Sequence, residues 1–290
     1  MKSKILVLSA IFIMVLCFCT CSLVKQQDVA MYNNRGNVYA KQGNYALAIV
    51  DFSSTLQISP QLADAYVGRG SAYYFQKNYK LAIADFNSAL KFNPKYAMAY
   101  LGRGIVYAKQ GSYDLAIADF NSALKINPKY AEVWYSKGVA LGKLGKNKEA
   151  LQAYDQALEL NPKYVEAWYN KGVASGNLGK FAEAMHAYDQ ALKFNPKHAK
   201  AWNNKGVALG ELGKLADATQ AFDQALKLDP KDAEAWYNKA CVYSLNKDKV
   251  NALLNLKKAI DLNPEMKEKA RKDKEFKNLW EDADFKKLVS

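Results

Sequence analysis

An apolar stripe at helical spacing runs over residues 131–144, breaks at Gly145–Lys146 and resumes over 148–160. That pattern predicts two helices joined by a tight turn. Pro162 follows directly; lacking an N–H and clashing with the turn before it, it cannot continue the second helix and suits the start of the next. The phrase recurs along the chain. Pro60, Pro94, Pro128, Pro162, Pro196, Pro230 and Pro264 are each 34 residues apart and are all the prolines there are. A fixed period of this length is the sequence signature of a repeat architecture.

Aligned on the prolines, each unit opens with an aromatic residue: Tyr32, Tyr66, Tyr100, Trp134, Trp168, Trp202 or Trp236. Four residues on comes a small one, Gly36 through Gly206 and finally Ala240, and twelve further on an Ala, from Ala48 to Ala252. A large residue follows (Phe52, Phe86, Phe120, Tyr154, Tyr188, Phe222, Leu256) and, in six units, a second Ala from Ala89 to Ala259. Gly138 and Ala150 predict a close approach of the two helix backbones, with Trp134 and Tyr154 filling the volume around it. One such hairpin cannot bury its own faces, so neighbours must stack.

The pattern Trp168, Gly172, Ala184, Tyr188, Ala191, Pro196 resembles the tetratricopeptide repeat family. The resemblance implies an all-α fold, a right-handed superhelical solenoid of antiparallel helix pairs. The expected organisation is a leader at 1–24, a linker at 25–28, seven units (29–62, 63–96, 97–130, 131–164, 165–198, 199–232 and 233–266) and a tail at 267–290. One departure from the family is systematic. The residue before the small position, usually Leu, is Arg35, Arg69, Arg103, Lys137, Lys171, Lys205 or Lys239. The expectation is a long aliphatic stem lying on apolar surface with its charge in water. In the tail, Phe276, Leu279 and Trp280 share one helical stripe and Phe285, Leu288 and Val289 another. Two short amphipathic helices are expected to cap the open end of the stack.

The N-terminus has a different character. Lys2 and Lys4 precede an uncharged run from Ile5 to Val24, which reads as a secretory signal or membrane anchor. Cys17, Cys19 and Cys21 close that run, and Cys21 is the candidate for lipidation. Cleavage after Ser22 and an uncleaved anchor are the alternatives; all three place the remainder outside the cytoplasm, tethered to a membrane or secreted.

Chemistry-bearing constellations are scarce. His186 and His198 have no Cys or carboxylate cluster at metal-ligand spacing, and Cys241 reads as a lone buried thiol. The Leu-Gly-Lys triplets at 144–146, 178–180 and 212–214 read as hairpin turns, with no phosphate loop among them. No catalytic residue, metal or cofactor is expected. The net charge is +13, spread as +2 over 1–28, +6 over 29–130, +3 over 131–266 and +2 over 267–290, with only four Arg. Such diffuse charge argues against nucleic acid.

In the family that the pattern resembles, first helices line a groove that receives a polypeptide segment. Carried over position by position, the groove residues are Val67, Leu101, Ile105, Tyr135, Val139, Tyr169, Val173, Asn203, Val207 and Tyr237, with Gly142, Gly176 and Gly210 leaving room for a ligand backbone. The clamp of chaperone-binding members is missing, because Asn33 and Asn37 stand where its first Lys and Asn would be. The expectation is a non-catalytic scaffold that binds a protein segment with apolar side chains and basic flanks. An envelope or secretion assembly factor is the alternative, and a hydrolytic enzyme a distant one.

Overall fold

The computed structural model describes residues 25–290, and the expected leader at 1–24 lies outside them; residues 25–28, expected as a linker, are helical and begin the first helix. The chain divides into two compact units, the first ending at Ala140 and the second beginning at Leu141.

The first unit contains α1 (25–41), α2 (Tyr45–Ile58), α3 (Ala63–Phe75), α4 (Tyr79–Phe92), α5 (Ala97–Lys109), α6 (Tyr113–Ile126) and α7 (Ala131–Lys143) as far as Ala140. The second contains α8 (Asn147–Leu160), α9 (Val165–Asn177), α10 (Phe181–Phe194), α11 (Ala199–Glu211), α12 (Leu215–Leu228), α13 (Ala233–Leu245) and α14 (Lys249–Leu262). It closes with α15 (Met266–Lys272), a 3-10 turn at Lys274–Leu279 and α16 (Ala283–Val289). The tail thus makes three short helical pieces where its apolar stripes suggest two, because the chain resumes a helix at Met266, two residues past Pro264. No strand occurs among the described residues.

Within each unit, a second helix packs on its own first helix and on the first helix of the next pair. The turn inside each pair needs a left-handed residue. Gly43, Gly111, Gly145, Gly179 and Gly213 supply it at φ between 72° and 78°, whereas Lys77 and Lys247 adopt it at 62° and 60° in the same slot. A side chain pays about 1–2 kcal/mol there that glycine does not.

The prolines sit between pairs, and their carbonyls have a use the period does not reveal. Tyr66 Oη donates to Pro60 O, and the indole N–H groups of Trp134, Trp168, Trp202 and Trp236 donate to the carbonyls of Pro128, Pro162, Pro196 and Pro230. In these five units the polar handle of the opening aromatic ties down the preceding linker.

The small residues make room for rings as well as for the facing helix: a Cβ on Gly70 would also stand 3.3 Å from the Ala82 carbonyl oxygen. A Cβ on Gly172 would stand 2.5 Å from the Tyr188 ring, and one on Gly206 2.7 Å from Phe222. In the first unit the ring is gripped from two sides: Phe86 lies 3.3 Å from the Cβ position of Gly70 in its own pair and 2.5 Å from that of Gly102 in the next.

The Arg/Lys stripe is corrected as well, because Arg69, Arg103, Lys171, Lys205 and Lys239 hold their charges against carboxylates. Arg69 Nε and Nη2 donate to the two oxygens of buried Asp85, each at 2.8 Å, and Arg103 holds Asp119 in the same fork. The third nitrogen reaches the preceding pair, Arg69 to Ser53 Oγ and Arg103 to Asn87 Oδ1. These side-chain bonds to aspartate hold the guanidinium pKa values of Arg69 and Arg103 above their ordinary range. In the second unit a lysine replaces the fork. Lys171, Lys205 and Lys239 each reach back 2.6 Å to Asp155, Asp189 and Asp223 of the preceding pair. Each lysine also lies over an opening tryptophan ring, Trp168, Trp202 or Trp236. The lysine meets its carboxylate as a point charge, while arginine's planar fork grips one carboxylate with two nitrogens and keeps the third for the preceding pair.

Candidate functional site

In the first unit, α3 and α5 carry Val67, Leu101 and Ile105, and α7 carries Tyr135 and Val139. Val67 and Leu101 are buried, each in the apolar cluster around its own pair's ring, Phe86 or Phe120. They pack against those rings and leave little surface for a ligand. Ile105 is half-buried against the Phe120 cluster, and Tyr135 and Val139 are half-buried.

In the second unit, α9, α11 and α13 lie side by side and form one face. A cavity of about 250 Å³ opens on it between α9 and α11, lined by Val173, Gly176, Asn177, Tyr188, Asn204 and Val207 among others. Val207 is 37% exposed. A Cβ added to Gly176 would meet nothing within 4 Å, so this helical glycine holds open space. Beside the cavity, Tyr169 stacks on His198 with ring centroids 4.7 Å apart, and its hydroxyl accepts from Asn204 Nδ2 at 3.3 Å. Burial pushes the Tyr169 phenol up, so it remains a neutral donor and acceptor. His198 Nδ1 caps α11 by accepting the Ala201 N–H, and its Nε2 lies 3.9 Å from Glu166. Asn203 is half-buried and accepts from Asn238 Nδ2.

The C-terminal tail changes the end of this face. Tyr237 is only 1% exposed: Phe276 meets its ring edge-on at 5.7 Å, and Lys269 lies 4.2 Å over it. Its hydroxyl donates to Asp273 Oδ2 at 2.7 Å. Tyr237 is therefore a post on which the tail docks, and ligand contact at this residue does not hold. Ser244 and Asn278 lock the same seam, with Ser244 Oγ within 2.7 Å of the Glu275 carbonyl and Asn278 Nδ2 donating to the Ser244 carbonyl at 2.9 Å.

The tail also gives Cys241 neighbours that the sequence reading had denied it. Cys241, Asp273 and Glu275 bring a sulfur and two carboxylate oxygens within 4.8 Å of one another, a grouping with the composition of a cation site. Burial pushes the Cys241 thiol up and, first among its causes, also raises Glu275. Asp273 and Glu275 carried no signal in the sequence, because the tail breaks the period and was read only for its apolar stripes.

Models of the tetratricopeptide repeat match residues 27–95, 67–131 and 131–164, and further along 153–186, 176–232 and 221–253. The chain belongs to the tetratricopeptide repeat family. Among curated proteins none matches it in sequence.

Solved structures are similar to it. YrrB, described as a tetratricopeptide repeat protein with an unusual peptide-binding site, is 27% identical over 65% of this chain and 97% of its own, with a TM-score of 0.57. A tetratricopeptide repeat protein from Parabacteroides merdae is 19% identical over 91% of this chain and 99% of its own (TM-score 0.60). The C-terminal part of one from Cytophaga hutchinsonii is 20% identical over 85% of this chain and 98% of its own (TM-score 0.65). The last two support the fold alone. Among the described residues, no helix is long and apolar enough to cross a membrane.

Proposed function

We propose that the chain is a non-catalytic scaffold that captures a segment of another protein on the face formed by α9, α11 and α13. The observation that carries this reading is the cavity held open by Gly176. Its walls, Val173 and Val207, are apolar, and the amide of Asn204 stands among them to orient a bound backbone. Apolar walls with a few placed polar groups are what polypeptide and small-ligand sites share. The likeness to YrrB, whose description names a peptide-binding site, supports the same reading. It takes residues 29–266 as seven hairpin units closed by 267–290. It also takes residues 1–24 as an export signal that leaves the scaffold outside the cytoplasm, held at a membrane through a lipidated Cys21 or a retained anchor. The support there is the sequence: two lysines, then an uncharged run of apolar character.

Gly176→Leu tests the reading without a stability penalty, because the new side chain enters open space and glycine costs a helix about 1 kcal/mol. Capture of the partner from the producing cell, with the full chain as bait, is expected to be lost while the melting temperature holds or rises. Undiminished capture by a folded Gly176→Leu chain would overturn the proposal.

A further inference from the structure

A second cavity, of about 160 Å³, lies on the same face, bounded by α11, α13 and the Lys274–Leu279 turn. Val207, Val242 and Leu245 form apolar walls, and Glu211, Cys241 and Glu275 supply the polar lining. We infer that this cavity is the seat for one lysine or arginine side chain of the captured segment, an inference that rests on the scaffold reading above.

The charges point to a cation. Glu275 is half-buried, and desolvation, with repulsion from Asp273 and Glu211 added, holds its carboxyl above the usual carboxylate range although the Cys241 thiol hydrogen-bonds to it. The nearest ammonium, Lys269, is already engaged, 2.7 Å from Glu234 and over the Tyr237 ring. A half-buried carboxylate without its own counter-ion is costly, and a charge-assisted bond from an arriving guanidinium or ammonium removes that cost.

The volume and the apolar walls favour an organic cation. One water occupies about 30 Å³ of liquid, so the cavity exceeds what a bare ion needs and matches a charged head with several methylenes. Val207, Val242 and Leu245 suit the methylene stem, as such side chains bury their stems and leave the head among polar groups. A metal held by Cys241, Asp273 and Glu275 would make no use of the three apolar walls.

The test uses the full chain with Val and Leu methyl groups labelled for NMR, and N-acetyl-argininamide as probe. N-acetyl-citrullinamide, its uncharged isostere, is the control. The arginine probe is expected to shift the Val207, Val242 and Leu245 signals saturably. Glu211→Gln with Glu275→Gln should weaken that binding about tenfold, which is about 1.4 kcal/mol. Equal shifts with citrulline, or no saturable shift, would overturn the inference. So would a cobalt(II)–thiolate absorption from Cys241 without any response to arginine, which would mark a metal site. Failure here leaves the Gly176→Leu result untouched, and the reverse is also true, because Gly176 does not line this cavity.

Discussion

Asp85→Ala is expected to cost about 2–4 kcal/mol in the first unit, read as lost hydrogen-exchange protection across α3 and α4. Breaking a fully buried ion pair costs about 3–5 kcal/mol, because one charge is left without its partner; the Arg69 side chain keeps 21% of its surface, which lowers the figure. Ser53→Asp is expected to recover about 1 kcal/mol in that background and far less in the wild type, since neighbours that share a partner couple. The reason is written in the second unit. There Ala153, Ala187 and Ala221 stand where Asp85 stands in its own repeat, and Asp155, Asp189 and Asp223 stand where Ser53 does. Those second-unit lysines take their carboxylate from the preceding pair, and Arg69 already points one nitrogen at Ser53, 3.1 Å away. Equal effects of Ser53→Asp in both backgrounds would contradict this exchange of partners.

Phe86→Ala is expected to cost about 3–5 kcal/mol, the usual range for deleting a buried ring. Phe86 is 1% exposed and sits at the centre of a cluster with Val67, Ala82, Ala89, Ala99 and Val106. The surroundings cannot collapse to fill the space, because Gly70 and Gly102 on either side have no side chain to move inward. Urea unfolding followed by circular dichroism should show an early phase as the first unit loosens. Stack neighbours communicate only through shared interfaces, so two-state behaviour is not expected of the variant. An unchanged curve would mean that the ring is not what these glycines accommodate.

The repeat itself was legible because a 34-residue interval imposes the same spacing on proline, glycine and alanine at once. The pairing of the cationic stripe left one trace, the exchange of Asp85-type for Asp155-type positions between the two groups of repeats. It escaped because Arg69 and Asp85 are 16 residues apart on different helices, where no local rule connects them. The size of Gly172 was legible, but what it faces was not; only packing reveals that it is the Tyr188 ring. At the candidate site, Val173 and Val207 lie on the cavity as their positions suggested, while Val67, Leu101 and Tyr237 are spent on packing. The contribution of Asp273 and Glu275 could not be read, since a tail outside the period has no register to place its acids against α13.

The most direct measurement places a photo-crosslinking residue on the two sides of the second unit in the full chain, at Val207 on α11 and at Gln220 on α12. A captured partner should become covalently attached through position 207 and not through 220. Attachment through 220 alone would put the binding surface on the second helices and contradict the role given to the first-helix face.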